Sequence, residues 1–198
     1  MTHALLCLGD SYTIGELVPL HESFPYQTVQ LLRKAGIHFH APEIIAKTGW
    51  TTFELAEHLI HTQLEKEYDY VTLLIGVNNQ YQGLAIEDFK NELSFLIKKS
   101  IYLTNEKSER VIILSIPDWG ITPFAATRNT KQIAEEIDAY NFICESSAKE
   151  HHCHFINITS SQRKNGSKSE FLASDKLHPS GKEYSKWAEK VFDVIKGK

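Results

Sequence analysis

A serine, a histidine and an aspartate, dispersed over 198 residues, carry the side chains that acyl transfer requires. Ser11 follows Gly9-Asp10, and His178 stands three residues after Asp175. A serine hydroxyl attacks a carbonyl only when a neighbouring base removes its proton. Histidine is the side chain suited to accept that proton and later return it. The Asp175–His178 spacing lets one tight turn bring the carboxylate to the far ring nitrogen, fixing the tautomer and stabilising the imidazolium. A tetrahedral intermediate also needs donors for its oxyanion. The backbone N–H groups of Ser11 and Gly49 and the side-chain amide of Asn78 are the candidates. Losing one such donor typically costs about 10²–10³ in rate, or roughly 3–4 kcal/mol. A side chain at Gly49 would crowd an approaching substrate.

Each of these residues also has a plainer reading. Ser11 could cap the turn after a strand, His178 could be an exposed residue before Pro179, and Asn78 could satisfy only turn backbone groups. Asp10 reads as a brace for the turn rather than as a second acid. His151-His152-Cys153-His154 is not read as a metal site, because adjacent residues point in different directions and no HExxH spacing is present. His58 and His61 share a solvated helix face. Trp50, Trp119 and Phe124 are aromatic residues near the candidate chemistry, as packing or as substrate contacts. The GxSxG elbow and the GxGxxG fingerprint are both absent.

Elements that could position these residues alternate along the chain. Residues 4–8 form a brief apolar run stopped by Gly9, as in a buried strand. Residues 23–35 predict a helix closed by Gly36. Residues 38–45 predict a second strand, placed at an edge or bulged by Pro42. A helix is expected over residues 52–65, then a strand over 71–75 that is apolar on both faces and suits the centre of a parallel sheet. The stripe Phe89, Leu93, Leu96, Ile97 and Ile101 predicts a helix. Residues 110–116 predict a fourth strand, Ile133, Ile137, Tyr140 and Ile143 a helix, and residues 154–158 a fifth strand. Tyr184, Trp187, Val191 and Ile195 mark the last helix. Residues 160–169, polar and carrying Asn165-Gly166, read as a loop. Residues 117–129 are too apolar for a mere connector and are expected to line a pocket.

This alternation implies an α/β fold, with helices on both faces of a five-stranded parallel sheet. In such sheets ligands bind beyond the carboxyl ends of the strands, near the point where strand order reverses. For order 2-1-3-4-5 that point lies between strands 1 and 3. Gly9-Asp10-Ser11, Thr48-Gly49-Trp50, Gly76-Val77-Asn78-Asn79 and the Asp175–His178 segment all follow strands, so they converge on one edge.

Composition narrows the function classes. Hydrophobic residues at 42% and charged residues at 23% are ordinary globular values, and residues 1–198 read as one domain. Lys and Arg total 21 against 25 Asp and Glu, a formal charge of −4, which argues against a nucleic-acid partner. No stretch approaches the roughly 18 apolar residues of a membrane span, and residues 4–8 lack the flanks of a signal peptide. Three widely spaced cysteines, with no CxxC, read as reduced and fit a cytoplasmic protein. The residues set no oligomeric state.

Ser11 in Gly9-Asp10-Ser11-Tyr12, Gly49, Asn78 in Gly76-Val77-Asn78, and His178 in Asp175-Lys176-Leu177-His178-Pro179 resemble the four blocks of the SGNH hydrolase superfamily, also called GDSL esterases and lipases. The blocks occur in the family's order and span residues 9 to 181. The resemblance implies a flavodoxin-like three-layer α/β/α fold and hydrolysis of acyl esters through an acyl-enzyme, without metal or cofactor. Residues 76–83 and 115–124 further resemble a bacterial lysophospholipase-like or acylhydrolase-like subgroup. Two positions depart from the family pattern. Tyr12 replaces the usual Leu at a packing position. Asn79 replaces the Asp common after the family Asn, which is expected to weaken a supporting hydrogen bond in that loop. The expected substrate is a small-molecule ester, either of the lipase, lysophospholipase-like or short-chain acyl type, or a sugar O-acetyl group hydrolysed at the same kind of site. An inactive binding module of the same fold is the rival from another class.

Overall fold

The computed structural model describes residues 2–197. Five parallel strands, β1 (Leu5–Gly9), β2 (Glu43–Ala46), β3 (Tyr70–Leu74), β4 (Val111–Leu114) and β5 (His154–Ile156), form one sheet in the order β2-β1-β3-β4-β5. Around it run α1 (Ser11–Ile14), α2 (Phe24–Lys34), α3 (Thr52–His61), α4 (Val77–Tyr81), α5 (Ile86–Leu103), α6 (Thr130–Glu150), α7 (Thr159–Asn165) and α8 (Gly181–Lys196). The expected α/β architecture and strand order are those observed.

Handedness explains the layers. The connection from β1 to β2 runs outward across the sheet, whereas every later connection runs the other way. Right-handed crossovers therefore place α2 on one face and α3, α5 and α6 on the other. The observed helix contacts follow this division, with α2 against α8 and α5 against both α3 and α6. Residues Tyr184, Trp187, Val191 and Ile195 of α8 are all buried, as their spacing predicts. Burying Val191 or Ile195 contributes roughly 1.5–3 kcal/mol.

Register brings the strand ends level. Gly9 pairs with Ala46 on one side and with Leu74 on the other, so the loops leaving β1, β2 and β3 emerge side by side. Only glycine fits at Gly9, because a Cβ there would lie 2.1 Å from Thr13 Oγ1 and 2.4 Å from the Leu74 carbonyl oxygen. That close approach lets the chain turn at once from β1 into α1.

Several expected boundaries change; β4 ends at Leu114 and β5 at Ile156, each short of expectation. β2 begins at Glu43 rather than at residue 38, directly after Pro42, which has no N–H to give a ladder; upstream, Phe39 makes only an isolated bridge with His3. The edge position inferred from that proline is correct. α3 stops at His61, short of residue 65. The expected loop over residues 160–169 contains α7. Its buried residues are Thr159, Gln162 and Asn165, so it lacks the apolar period by which a helix is read. Polar contacts hold it instead: Ser161 Oγ and Asn165 Nδ2 donate to Glu183 at 2.8 and 3.2 Å, and Arg163 Nε donates to Asp118 at 2.8 Å.

Among the described residues, no helix is long and apolar enough to cross a membrane.

Candidate active site

Ser11 opens α1 immediately beyond β1. Asp10 caps that short helix, its Oδ1 accepting from the Tyr12 N–H at 3.0 Å, so Asp10 is the turn brace the sequence suggests. Across the edge, His178 Nε2 lies 2.9 Å from Ser11 Oγ, and His178 Nδ1 lies 2.6 Å from Asp175 Oδ2. The second oxygen of Asp175 accepts from the N–H groups of Leu177 and His178, each at 3.0 Å. One carboxylate thus orients the imidazole and folds the turn that carries it. Lys176 sits inside that turn at φ 60, a left-handed conformation uncommon for a side chain with Cβ. The turn is pinned from both sides, by the Ala173 N–H on the His178 carbonyl at 2.8 Å and the Phe124 N–H on the Lys176 carbonyl at 3.3 Å.

Gly49 and Asn78 reach the same pocket from the loops after β2 and β3. Gly49 has φ 86, and a Cβ placed there meets no protein atom within 4 Å. Backbone conformation therefore demands glycine there, a reason the sequence does not show, while the space beside it lies open to a ligand. Asn78 Nδ2 donates to the Trp50 carbonyl at 2.9 Å. A carbonyl can only accept, so the amide nitrogen faces it, and its second hydrogen remains for another acceptor.

The pocket encloses about 220 Å³ and includes Ser11, His178, Gly49, Asn78, Trp119 and Phe124 in its lining. Tyr12, Thr48, Val77, Tyr81 and Leu177 complete it; sequence reasoning did not select these as site residues. For Tyr81 a signal existed, because it lies three residues after Asn78 on one helix and so on the same face. Trp50 does not line the pocket. Its ring packs against His58 at 4.8 Å, and its contribution to the site is the carbonyl that holds Asn78. Trp119 is 5% exposed and fixed in place, its Nε1 donating to Gln80 Oε1 at 2.7 Å, while Gln80 Nε2 donates to Glu136 at 2.7 Å. The residue 117–129 segment lines a pocket as expected, through two turns of 3-10 helix, Trp119–Ile121 and Pro123–Ala125. Tyr12 is buried, packed 4.9 Å from the His178 ring and 6.4 Å from Trp187, which makes it the packing residue expected.

Asn79, at the position where a weakened bond was expected, makes two. Its Oδ1 accepts from the Thr52 N–H at 3.0 Å and its Nδ2 donates to Thr52 Oγ1 at 2.7 Å. A capping box at Thr51 and Glu54 fixes the same start of α3.

The two carboxylates beside the site differ in environment. Burial pushes the Asp175 carboxyl up, but the hydrogen bonds from the His178 ring and from two backbone N–H groups outweigh it and hold the group below its ordinary range. Asp10 is buried, and desolvation raises its carboxyl to about 7 against the bond from the Tyr12 N–H. A raised carboxyl keeps its proton in the folded state while the unfolded chain releases it. Stability therefore falls as pH rises from about 4 towards 7 and is level above that. Asp10→Asn keeps the acceptor for Tyr12 and removes the titration. We expect melting temperatures of Asp10→Asn to be flatter across that window and its stability at pH 8 to exceed the parent's by up to a few kcal/mol. Parallel melting-versus-pH curves for the two proteins would refute this account.

Residues 7–185 match the GDSL-like lipase/acylhydrolase family. The chain belongs to that family, a class of hydrolases acting on ester bonds. Its fold is similar to the lipase/acylhydrolase from Enterococcus faecalis, at 21% identity and a TM-score of 0.77, covering 99% of this chain and 96% of that one. An acetylxylan esterase, Axe2 from Geobacillus stearothermophilus, is similar at 18% identity and a TM-score of 0.76, covering 98% and 94%. The psychrotrophic esterase EstA from Pseudoalteromonas sp. is similar at 16% identity and a TM-score of 0.72, covering 98% and 97%. No curated protein sequence matches the chain significantly.

Proposed function

We propose that this chain is a serine esterase that cleaves short-chain acyl esters through an acyl-enzyme on Ser11. His178 takes the Ser11 proton as Oγ attacks the ester carbonyl. The resulting oxyanion is held by the N–H groups of Ser11 and Gly49 and by Asn78 Nδ2. His178 then gives its proton to the leaving alcohol, and the same residues hydrolyse the acyl-enzyme with water as the nucleophile. The observation that carries this reading is the line Ser11 Oγ, His178 and Asp175, at 2.9 and 2.6 Å, opening into one pocket.

Pocket size supports a short acyl group. About 220 Å³ lies below the roughly 300–1,000 Å³ of sites that hold drug-sized ligands, and Val77, Tyr81, Trp119, Phe124 and Leu177 give it an apolar wall. A sugar acetyl ester is the second reading. Beyond Tyr81 and Trp119 lies a polar groove that includes Gln82, Arg128, Asn129 and Gln132, suited to a hydroxylated alcohol. The likeness of the fold to an acetylxylan esterase fits that reading too. The unpaired Cys7, Cys144 and Cys153 support residence in a reducing compartment, the cytoplasm.

The test is a panel of p-nitrophenyl acetate, butyrate, octanoate and palmitate beside acetylated glucose and xylose, with a fluorophosphonate probe to label Ser11. We expect labelling of Ser11 and kcat/KM highest for acetate or butyrate, falling at least about tenfold by palmitate as chains outgrow the pocket. A maximum at palmitate would favour a lipase, and a maximum at the acetylated sugars the second reading. No labelling and no turnover would mark an inactive binding module.

A further inference from the structure

β1 lies between β2 and β3 in the sheet, so the loops carrying Gly49 and Asn78 are not neighbours through strand pairing. Side chains of α4 join them. Asn78 holds the Trp50 carbonyl, and Asn79 makes its two bonds to Thr52, only three residues beyond Gly49. Thr52 is fully buried and Asn79 is 1% exposed, so these bonds are shielded from water. The Thr52 hydroxyl in turn donates to Glu92 Oε2 on α5.

The chain of bonds has one allowed direction. Thr52 Oγ carries a single hydrogen, and a carboxylate at Glu92 can only accept it. The oxygen must then accept from residue 79, while the Thr52 N–H must be accepted by residue 79. An amide supplies one acceptor and one donor; a carboxylate supplies no donor. The Asp usual at this position in the family would leave a buried carboxylate and the half-buried Glu92 contesting the one hydrogen of the buried Thr52 hydroxyl.

We propose that Asn79 is a positioning residue matched to Glu92, and that this pair, acting through Thr52, sets the distance between the Gly49 and Asn78 oxyanion donors. This rests on the esterase reading above. The departure at residue 79 is thus tied to the acid on α5, and changing both reverses the bond direction. With Glu92→Gln, the new amide N–H can donate to Thr52 Oγ, and the Thr52 hydrogen then goes to the carboxylate that Asn79→Asp introduces.

A double-mutant cycle of Asn79→Asp, Glu92→Gln and both together tests this, read by kcat and KM on p-nitrophenyl butyrate and by melting temperature. Asn79→Asp is expected to lower kcat about ten- to a hundredfold, with KM changed less than about threefold, because misplaced donors fail the transition state rather than the bound ester. Its melting temperature should fall on the order of 5 °C. Glu92→Gln alone costs far less. The double variant should return kcat to within about threefold of the parent and recover most of the melting loss. Retained kcat in Asn79→Asp, or a double variant no better than Asn79→Asp, overturns the pairing. If Asn79→Asp does not fold, Thr52→Val serves: it deletes the contested hydroxyl, so its kcat loss should not be repaired by Glu92→Gln, and repair overturns the proposal. A parent without turnover or fluorophosphonate labelling would defeat the esterase reading instead, and the melting cycle would still decide the pair.

Discussion

Ser11→Ala is expected to lower kcat for p-nitrophenyl butyrate by about 10⁴–10⁶-fold, with a folded protein and little change in melting temperature. The size of the fall follows from what the hydroxyl does in the proposed mechanism. Without it no acyl-enzyme forms, and His178 has no alcohol to activate. Hydrolysis then depends on water attacking an ester held by the remaining donors, which leaves a residual acceleration of roughly 10³–10⁴ over solution in triads so truncated. The backbone N–H of residue 11 survives the change, so the proposed oxyanion donors all remain. Stability should be spared because, among the described residues, the only side-chain hydrogen bond of Ser11 is the one to His178, and Cβ still fills its place at the head of α1. Turnover within about tenfold of the parent would show that another group performs the attack. Loss of the folded state would show that the hydroxyl braces the turn, the plainer reading of that serine.

The large features of this site were legible because they are local in sequence. Gly9-Asp10-Ser11 follows an apolar run directly, and Asp175 precedes His178 by the span of one turn, so residue type and spacing together indicated where these side chains would lie. The parallel sheet was legible from the alternation of apolar runs and amphipathic stretches, whereas its order 2-1-3-4-5 came from the flavodoxin-like fold that the resemblance to the family implied. What escaped was held by polar contacts between distant positions. α7 has buried Thr159, Gln162 and Asn165 where a helix is ordinarily recognised by apolar residues. Gln80 fixes Trp119 from 39 residues away, and Thr52 meets Asn79 across 27 residues and Glu92 across 40. No periodicity encodes such pairs. The aromatic residues show the same limit: Trp119 and Phe124 face the pocket, whereas Trp50 stands beside it and contributes only a carbonyl.

Asp175→Asn should lower kcat by about 10⁴-fold while KM stays within a few fold, although the replacement changes one atom. In the parent, Asp175 Oδ2 can only accept, so His178 Nδ1 carries the hydrogen and Nε2 is left with the lone pair that takes the Ser11 proton. An asparagine can keep its oxygen on the Leu177 and His178 N–H groups, which holds the turn. Its amide nitrogen then faces Nδ1 and donates to it. The ring hydrogen moves to Nε2, which now points a donor at Ser11 and cannot act as base. The substituted ring also lacks the negative partner that stabilises an imidazolium. Stability changes in a pH-dependent way with a fixed sign. The Asp175 carboxyl is held below its ordinary 3.8, so its contribution is present above that pH and is lost as pH falls through the lower folded value. Asp175→Asn should therefore be less stable than the parent at pH 7, with the gap closing in acid below about 4. Melting curves from pH 3 to 8, beside kcat on p-nitrophenyl butyrate, separate the two effects. Near-parental kcat in Asp175→Asn would mean that the carboxylate serves the turn and not the tautomer, and the base would then have to be oriented by Ser11 and the packing of Tyr12 alone.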